Sequence, residues 1–144
     1  MEVKLIDREA IIHLVDGLEN FEKDKAIKSG LRSAVNVFRV RGRSNLRARL
    51  LYHGKPTNRL MNSFAIRVKR NKLGALSGFN SPEGNHAHLV DRGTIRRIHP
   101  ITGTSGVMPA NHFWEDAINS EGKKALDTVY NGVEIAIQRI KDGR

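Results

Sequence analysis

A chain of 144 residues without cysteine is long enough to bury a core unaided, and it excludes disulfide frameworks, thiolate zinc sites and cysteine nucleophiles. Its net charge of +10 is uneven, because residues 23–72 hold 15 Lys and Arg against one acid, Asp24, whereas the remainder holds 10 against 14. Such a basic block attracts nucleic acid or an acidic protein surface, unless it is simply a solvated helix face. The charged start, Met1-Glu2-Val3-Lys4-Leu5-Ile6-Asp7-Arg8, lacks the apolar run of a signal peptide, and no stretch has the length of a membrane span. One domain over residues 1–144, made in a cytoplasm, is expected.

In chain order, Asp7 suits the N-cap of a short first helix whose apolar side is Ile11, Ile12, Leu14, Val15 and Leu18, with Gly17 near its end. Ile27, Leu31, Val35, Phe38, Leu46 and Leu50 then follow helical spacing, with Arg32, Arg39, Arg43 and Arg47 on other faces, which predicts a long basic second helix. Gly42, followed by Ser44 and Asn45, interrupts the stripe and marks a bend or, alternatively, a break near residues 41–44. His53-Gly54-Lys55-Pro56 stops the helical region.

Phe64, Ile66 and Val68 alternate with Ala65, Arg67 and Lys69, the period of a half-buried strand. A turn near Asn71 and Lys72, a second strand over 73–79, a Ser81-Pro82-Glu83-Gly84 turn and a third strand over 86–91 complete a predicted antiparallel meander. Beyond a long connection, Phe113, Ala117, Leu126, Val129, Val133, Ile137 and Ile140 predict a final helical region, which Gly122 and Gly132 would be able to split. The expected class is α+β: a small antiparallel sheet packed with a long basic N-terminal helix and a C-terminal helix, carrying an extended loop.

Candidate chemistry is sparse. His86 and His88 would share one face of the predicted strand and, with His99 or His112, could in principle supply metal ligands; ordinary strand and loop polar positions account for them better, since a metal site needs a third ligand and a second shell that the HxH spacing does not provide. Asp91, Glu115 and Asp116 are not spaced as an acid/base pair, and neither Ser81 nor Ser105 lies in a nucleophile elbow. The stretch Thr102-Gly103-Thr104-Ser105-Gly106 lacks the lysine of a phosphate loop. A non-enzyme without metal or cofactor is expected.

Residues 85–117 carry a resemblance. Ala87, Val90, Asp91, Gly93 and Thr94, a variable loop, then Pro109, Phe113 and Ala117 follow the order alanine-x-x-valine-glutamate-x-glycine-threonine, loop, proline, aromatic, small-residue helix. That order resembles the phage minor tail component family, with Asp91 in place of the commoner glutamate and Arg92 in place of an aromatic. Upstream, Thr57-Asn58-Arg59-Leu60-Met61-Asn62-Ser63-Phe64 is similar to the family's threonine-glycine-x-leucine-x-x-serine-isoleucine turn into its first strand, and asparagine tolerates the positive φ that glycine allows.

The resemblance implies a structural virion protein of a tailed phage, assembling as a homo-oligomeric ring at the tail end or neck between the head-side connector and the tail tube. A ring needs two different patches on each subunit, which the opposed charges of residues 23–72 and the remainder would supply. Arg39, Arg43 and Arg47 are the candidate contacts to DNA or a partner. Residues 95–108 form the candidate assembly loop, in which Arg96 and Arg97 offer charge, and Ile95, Ile98, Ile101 and Val107 offer apolar contacts around the reversals at Gly103 and Gly106. Phe113 is assigned to the core and Trp114 to an interface. The alternative is a basic nucleic-acid-binding protein of ribosomal or nucleoid type, favoured by the arginine-rich helix but lacking a helix-turn-helix, zinc finger or aromatic RNA-binding signature.

Overall fold

A computed structural model describes residues 2–3, 8–49, 58–104 and 106–143, and its architecture is α+β. The body is built around α2 (Asn20–Arg49), which packs along α5 (Phe113–Lys141) on one side and against a small sheet on the other. The buried stripe of α2 is Ala26, Ile27, Gly30, Leu31, Ala34, Val35, Phe38, Gly42 and Leu46, spaced three and four residues apart as an inward helical face requires. Small residues dominate one side of it. A Cβ placed on Gly132 would lie 2.8 Å from the Gly30 Cα, and one on Gly30 would lie 2.6 Å from the Val129 carbonyl oxygen, so the two backbones are in direct contact at this crossing.

Neither long helix is interrupted by its glycines, which corrects the alternative of a break near residues 41–44 and the splitting at Gly122 and Gly132. Gly42 is a slot: a Cβ there would meet the Trp114 ring at 2.7 and 2.9 Å and Phe64 at 3.0 Å. The cost of an interior glycine, about 1 kcal/mol relative to alanine, is outweighed by the ring that it admits. Preceding α2, α1 (Arg8–Val15) contributes Ile11 and Val15 to the core, whereas Ile12 points to solvent rather than inward as its spacing suggested. Asp7, Leu50, the 53–56 stop signal and Thr57 lie outside the described residues.

The sheet has the order β1-β3-β2, antiparallel throughout, with β1 (Glu2–Val3), β2 (Phe64–Val68) and β3 (Ala75–Phe79). Phe64 pairs with Phe79 and Val68 with Ala75, as the predicted first hairpin requires. Its third strand comes from the chain start, with Val3 opposite Ala75. The third strand expected over 86–91 is absent there, and residues 87–92 form a short helix, α4 (Ala87–Arg92). Ala87, Val90 and Asp91 face inward at spacings of three and four, so one helical face buries what an alternating strand would have divided between two. The entry to β2 runs through α3 (Arg59–Ser63), preceded by Asn58 at φ 54°, the positive φ anticipated from its place in the turn.

Two apolar clusters result. One lies between α1, α2, the sheet and α5; the other gathers Leu46, Met61, Phe64 and Phe113 near the α2 C-terminus, and Trp114 packs against both. Phe64, Phe79, Phe113 and Trp114 form a tilted and edge-to-face aromatic group with centroids 4.8 to 6.0 Å apart.

Candidate interaction surfaces

The segment that leaves α4 returns to α5 through a closed base. Asp91 is buried, and its Oδ1 accepts hydrogen bonds from the backbone N–H groups of Trp114 (2.8 Å) and Glu115 (3.3 Å). These are first-turn donors of α5 that have no partner within the helix. His112, at the N-cap position, makes no side-chain cap, so a carboxylate from another helix fills that role at the positive end of the α5 dipole. Backbone bonds from Asn111 N to Val90 O and from His112 N to Asp91 O tie the same two segments.

Gly93 sits at φ 76°, and a Cβ there would lie 2.7 Å from the Met108 carbonyl oxygen and 2.8 Å from Ala110 N. Only glycine meets both conditions without strain. Thr94 closes the ring of contacts: its N–H donates to Met108 O (2.9 Å), and its Oγ1 accepts from Met108 N (3.0 Å). The family-like residues Asp91, Gly93 and Thr94 and the segment leading to Phe113 thus meet in space as the collar of the 95–108 loop. The C-terminus of α2 braces that collar, since Asn45 donates to Phe113 O, Arg49 donates to Asn111 O and Asp116, and Asn111 donates back to Arg49 O.

Beyond the collar the loop is a two-stranded hairpin, β4 (Ile98–His99) and β5 (Gly103–Thr104), with Ile98 opposite Thr104 and His99 opposite Gly103. His99 Nδ1 accepts from Ile101 N and Thr102 N at its tip, and Arg96 Nε donates to Thr104 Oγ1. Ile95, Ile98 and Ile101 are 85%, 81% and 88% exposed, and Val107 and Met108 are exposed beside them. Arg96 and Arg97 are exposed as well. The hairpin is held by backbone and polar contacts while its apolar side chains face solvent.

Trp114 is half-buried against Phe64, Phe79 and the Gly42 slot. Its ring packs against these residues and keeps part of its surface accessible, and Phe113 is fully buried as expected.

On α2, Arg32, Arg39, Arg43 and Arg47 are spaced seven, four and four residues apart and so form one stripe. Arg47 is exposed, Arg43 is half-buried, and Arg39 is half-buried with its Nε enclosed and unpartnered. Arg41 and Arg49, by contrast, pair with Glu121 and Asp116 of α5. Sequence reasoning missed where the stripe begins. Lys25, Lys28 and Arg32 of α2 meet Lys69 and Arg70 after β2 across a cleft of about 660 Å³, with Asp24 its one acidic wall residue and Lys28 Nζ donating to Arg70 O at 2.8 Å. No spacing within one segment encodes that meeting, because it depends on the β2–β3 turn lying against α2.

His86 precedes α4 and His88 lies within it, so they do not share a strand face; among the described residues, no three His, Asp or Glu side chains converge as metal ligands. No helix among the described residues is long and apolar enough to cross a membrane. No protein-family model, curated protein or solved structure matches the chain.

Proposed function

We propose that this protein is a structural, non-enzymatic virion component of a tailed phage, a tail-completion or neck subunit whose ring joins the tail tube to the head-side connector. The observation that carries the reading is the 95–108 hairpin, which presents Ile95, Ile98, Ile101 and Val107 outward from a rigid collar. Contiguous exposed apolar side chains rimmed by charge mark a contact surface. The tail-component resemblance adds support because its two halves, Asp91-Gly93-Thr94 and the start of α5, are the parts that hold this hairpin out. Replacing residues 97–105 by a Gly-Ser turn is expected to preserve the thermal transition and to abolish ring formation and tail joining. Normal assembly by the well-folded deletion variant overturns this reading.

The basic cleft and the arginine stripe favour a second reading, a nucleic-acid-binding protein of ribosomal or nucleoid type. Five cations around one cleft, continued along α2, suit a phosphate backbone. In a phage ring the same stripe would meet DNA in the lumen or an acidic neighbour. Changing Arg39, Arg43 and Arg47 to Gln separates these uses: a flattened salt dependence of DNA affinity assigns the stripe to phosphate. Lost assembly with DNA affinity retained assigns it to protein.

A further inference from the structure

We propose that the hairpin of one copy docks on the α1–α2 corner of a second copy, so that subunits join head to tail. This inference rests on the assembly reading above and names the surface that receives the hairpin.

Outside the hairpin, exposed large apolar side chains concentrate at one other place. Ile12 of α1, Phe21 at the start of α2 and Leu73 in the β2–β3 turn line a cleft of about 420 Å³, and Phe21 is 78% exposed. Val40 and Ile135 are the other two exposed apolar residues of this kind among the described residues, and neither lines that cleft. Two apolar patches on one chain, each open to solvent, are what a heterologous interface requires.

Charge matches the two patches. Residues 92–108 contain Arg92, Arg96 and Arg97 and no acid, whereas residues 9–24 contain Glu9, Asp16, Glu19, Glu22 and Asp24 against Lys23 alone. Glu9 lies one turn from Ile12, Asp16 follows the end of α1, and Asp24 lines the cleft itself beside Lys23. Phe21 also borders the basic cleft on its other side, but that surface repels the hairpin arginines. The apolar contact therefore forms on the α1 side of Phe21, where Asp24 offsets the one lining cation, Lys23, against five lining cations on the other side.

Position decides between self-docking and docking on a neighbour. The hairpin springs from the N-terminus of α5, which Asn45 and Arg49 hold against the C-terminal end of α2. The receiving cleft lies at the N-terminal end of α2. A helix of 30 residues separates them by about 45 Å, so the occupant is a second copy, and among the described residues each copy offers an uncovered hairpin at one end and an uncovered cleft at the other.

The test uses the full chain and its oligomeric mass. Ile98→Asp and Phe21→Asp are each expected to raise the concentration for half-assembly more than about tenfold, the loss that follows when a central apolar anchor fails. Each variant should keep the wild-type thermal transition. Mixed together, they are expected to form a dimer that grows no further, because the intact hairpin of the Phe21 variant meets the intact cleft of the Ile98 variant. A charge-reversal pair covers the case in which Phe21→Asp does not fold: R96E/R97E should lose assembly, and D16K/E19K in the partner copy should restore it. If the hairpin variants fail to assemble while Phe21→Asp and D16K/E19K assemble normally, this pairing is wrong and the assembly reading stands. A wild-type chain that stays monomeric at all concentrations, or hairpin variants that assemble normally, overturns the pairing. Open filaments in place of closed rings support the pairing and count against the ring.

Discussion

The α2–α5 crossing and the 95–108 hairpin use aliphatic side chains in opposite directions. At the crossing, Leu31, Val35, Val129 and Val133 are buried and the backbones touch through Gly30 and Gly132. At the hairpin, Ile95, Ile98 and Ile101 are almost entirely exposed, and a collar made of Asp91, Gly93, Thr94 and Met108 carries the geometry. On the assembly reading proposed above, stability and contact fall to separate parts of one chain. Substitutions should sort accordingly, with changes at the crossing and aromatic cluster altering folding and changes at the hairpin altering only association.

The largest expected effect is at the aromatic cluster beside the collar. Phe113 is fully buried between Phe64 and Phe79, so Phe113→Ala should cost about 3–5 kcal/mol. Urea denaturation at low protein concentration measures it, and a loss below about 1 kcal/mol would falsify the placement of this cluster in the core.

A smaller effect, with a built-in control, comes from the helix glycines. Gly30→Ala gains about 1 kcal/mol of helix propensity but drives a methyl group into the Val129 carbonyl. Overpacking of this kind costs about 1–3 kcal/mol, and a backbone atom cannot swing aside, so net destabilisation is expected. Gly122 has nothing within 4 Å of its virtual Cβ, so Gly122→Ala should stabilise. Equal responses at the two sites would mean that the helices do not meet at Gly30.

These cases also explain which parts of the molecule were legible in the sequence. The long helices were, because Ile27, Leu31, Val35 and Phe38, then Val129, Val133 and Ile137, repeat at a period that only a helix buries on one side. The β2–β3 pair was legible from the alternation of Phe64, Ile66 and Val68. Residues 86–91 were not, since a six-residue run with apolar Ala87, Leu89 and Val90 satisfies either period and tertiary contact decides. β1 has two residues and no period at all.

Gly42 reads as a bend or as a slot until Trp114 is known to fill it. Asp91 stood out as an acid, but its role as the cap of α5 depends on a partner far along the chain. The outward apolar character of the 95–108 loop was legible from its length and from Ile95, Ile98, Ile101 and Val107. The cleft at Ile12, Phe21 and Leu73 was not, because Ile12 fits the apolar stripe of α1 and turns outward only in the folded molecule.

The smallest expected effect on folding is therefore the most informative about the comparison. Ile98 and Ile101 lose almost no exposed area when the monomer folds, so replacing both by Ser removes little burial energy. What remains is β-propensity in a hairpin of two-residue strands and the hydrogen bonds at the His99 turn, none of which uses those side chains. The double variant should unfold within about 0.5 kcal/mol of wild type, the range of ordinary surface changes, when both are measured in the monomer. A loss above about 1 kcal/mol would show these isoleucines packed on their own domain, and the hairpin would then belong with the core. Unchanged stability together with lost association leaves the outward isoleucines with one use, contact with another surface.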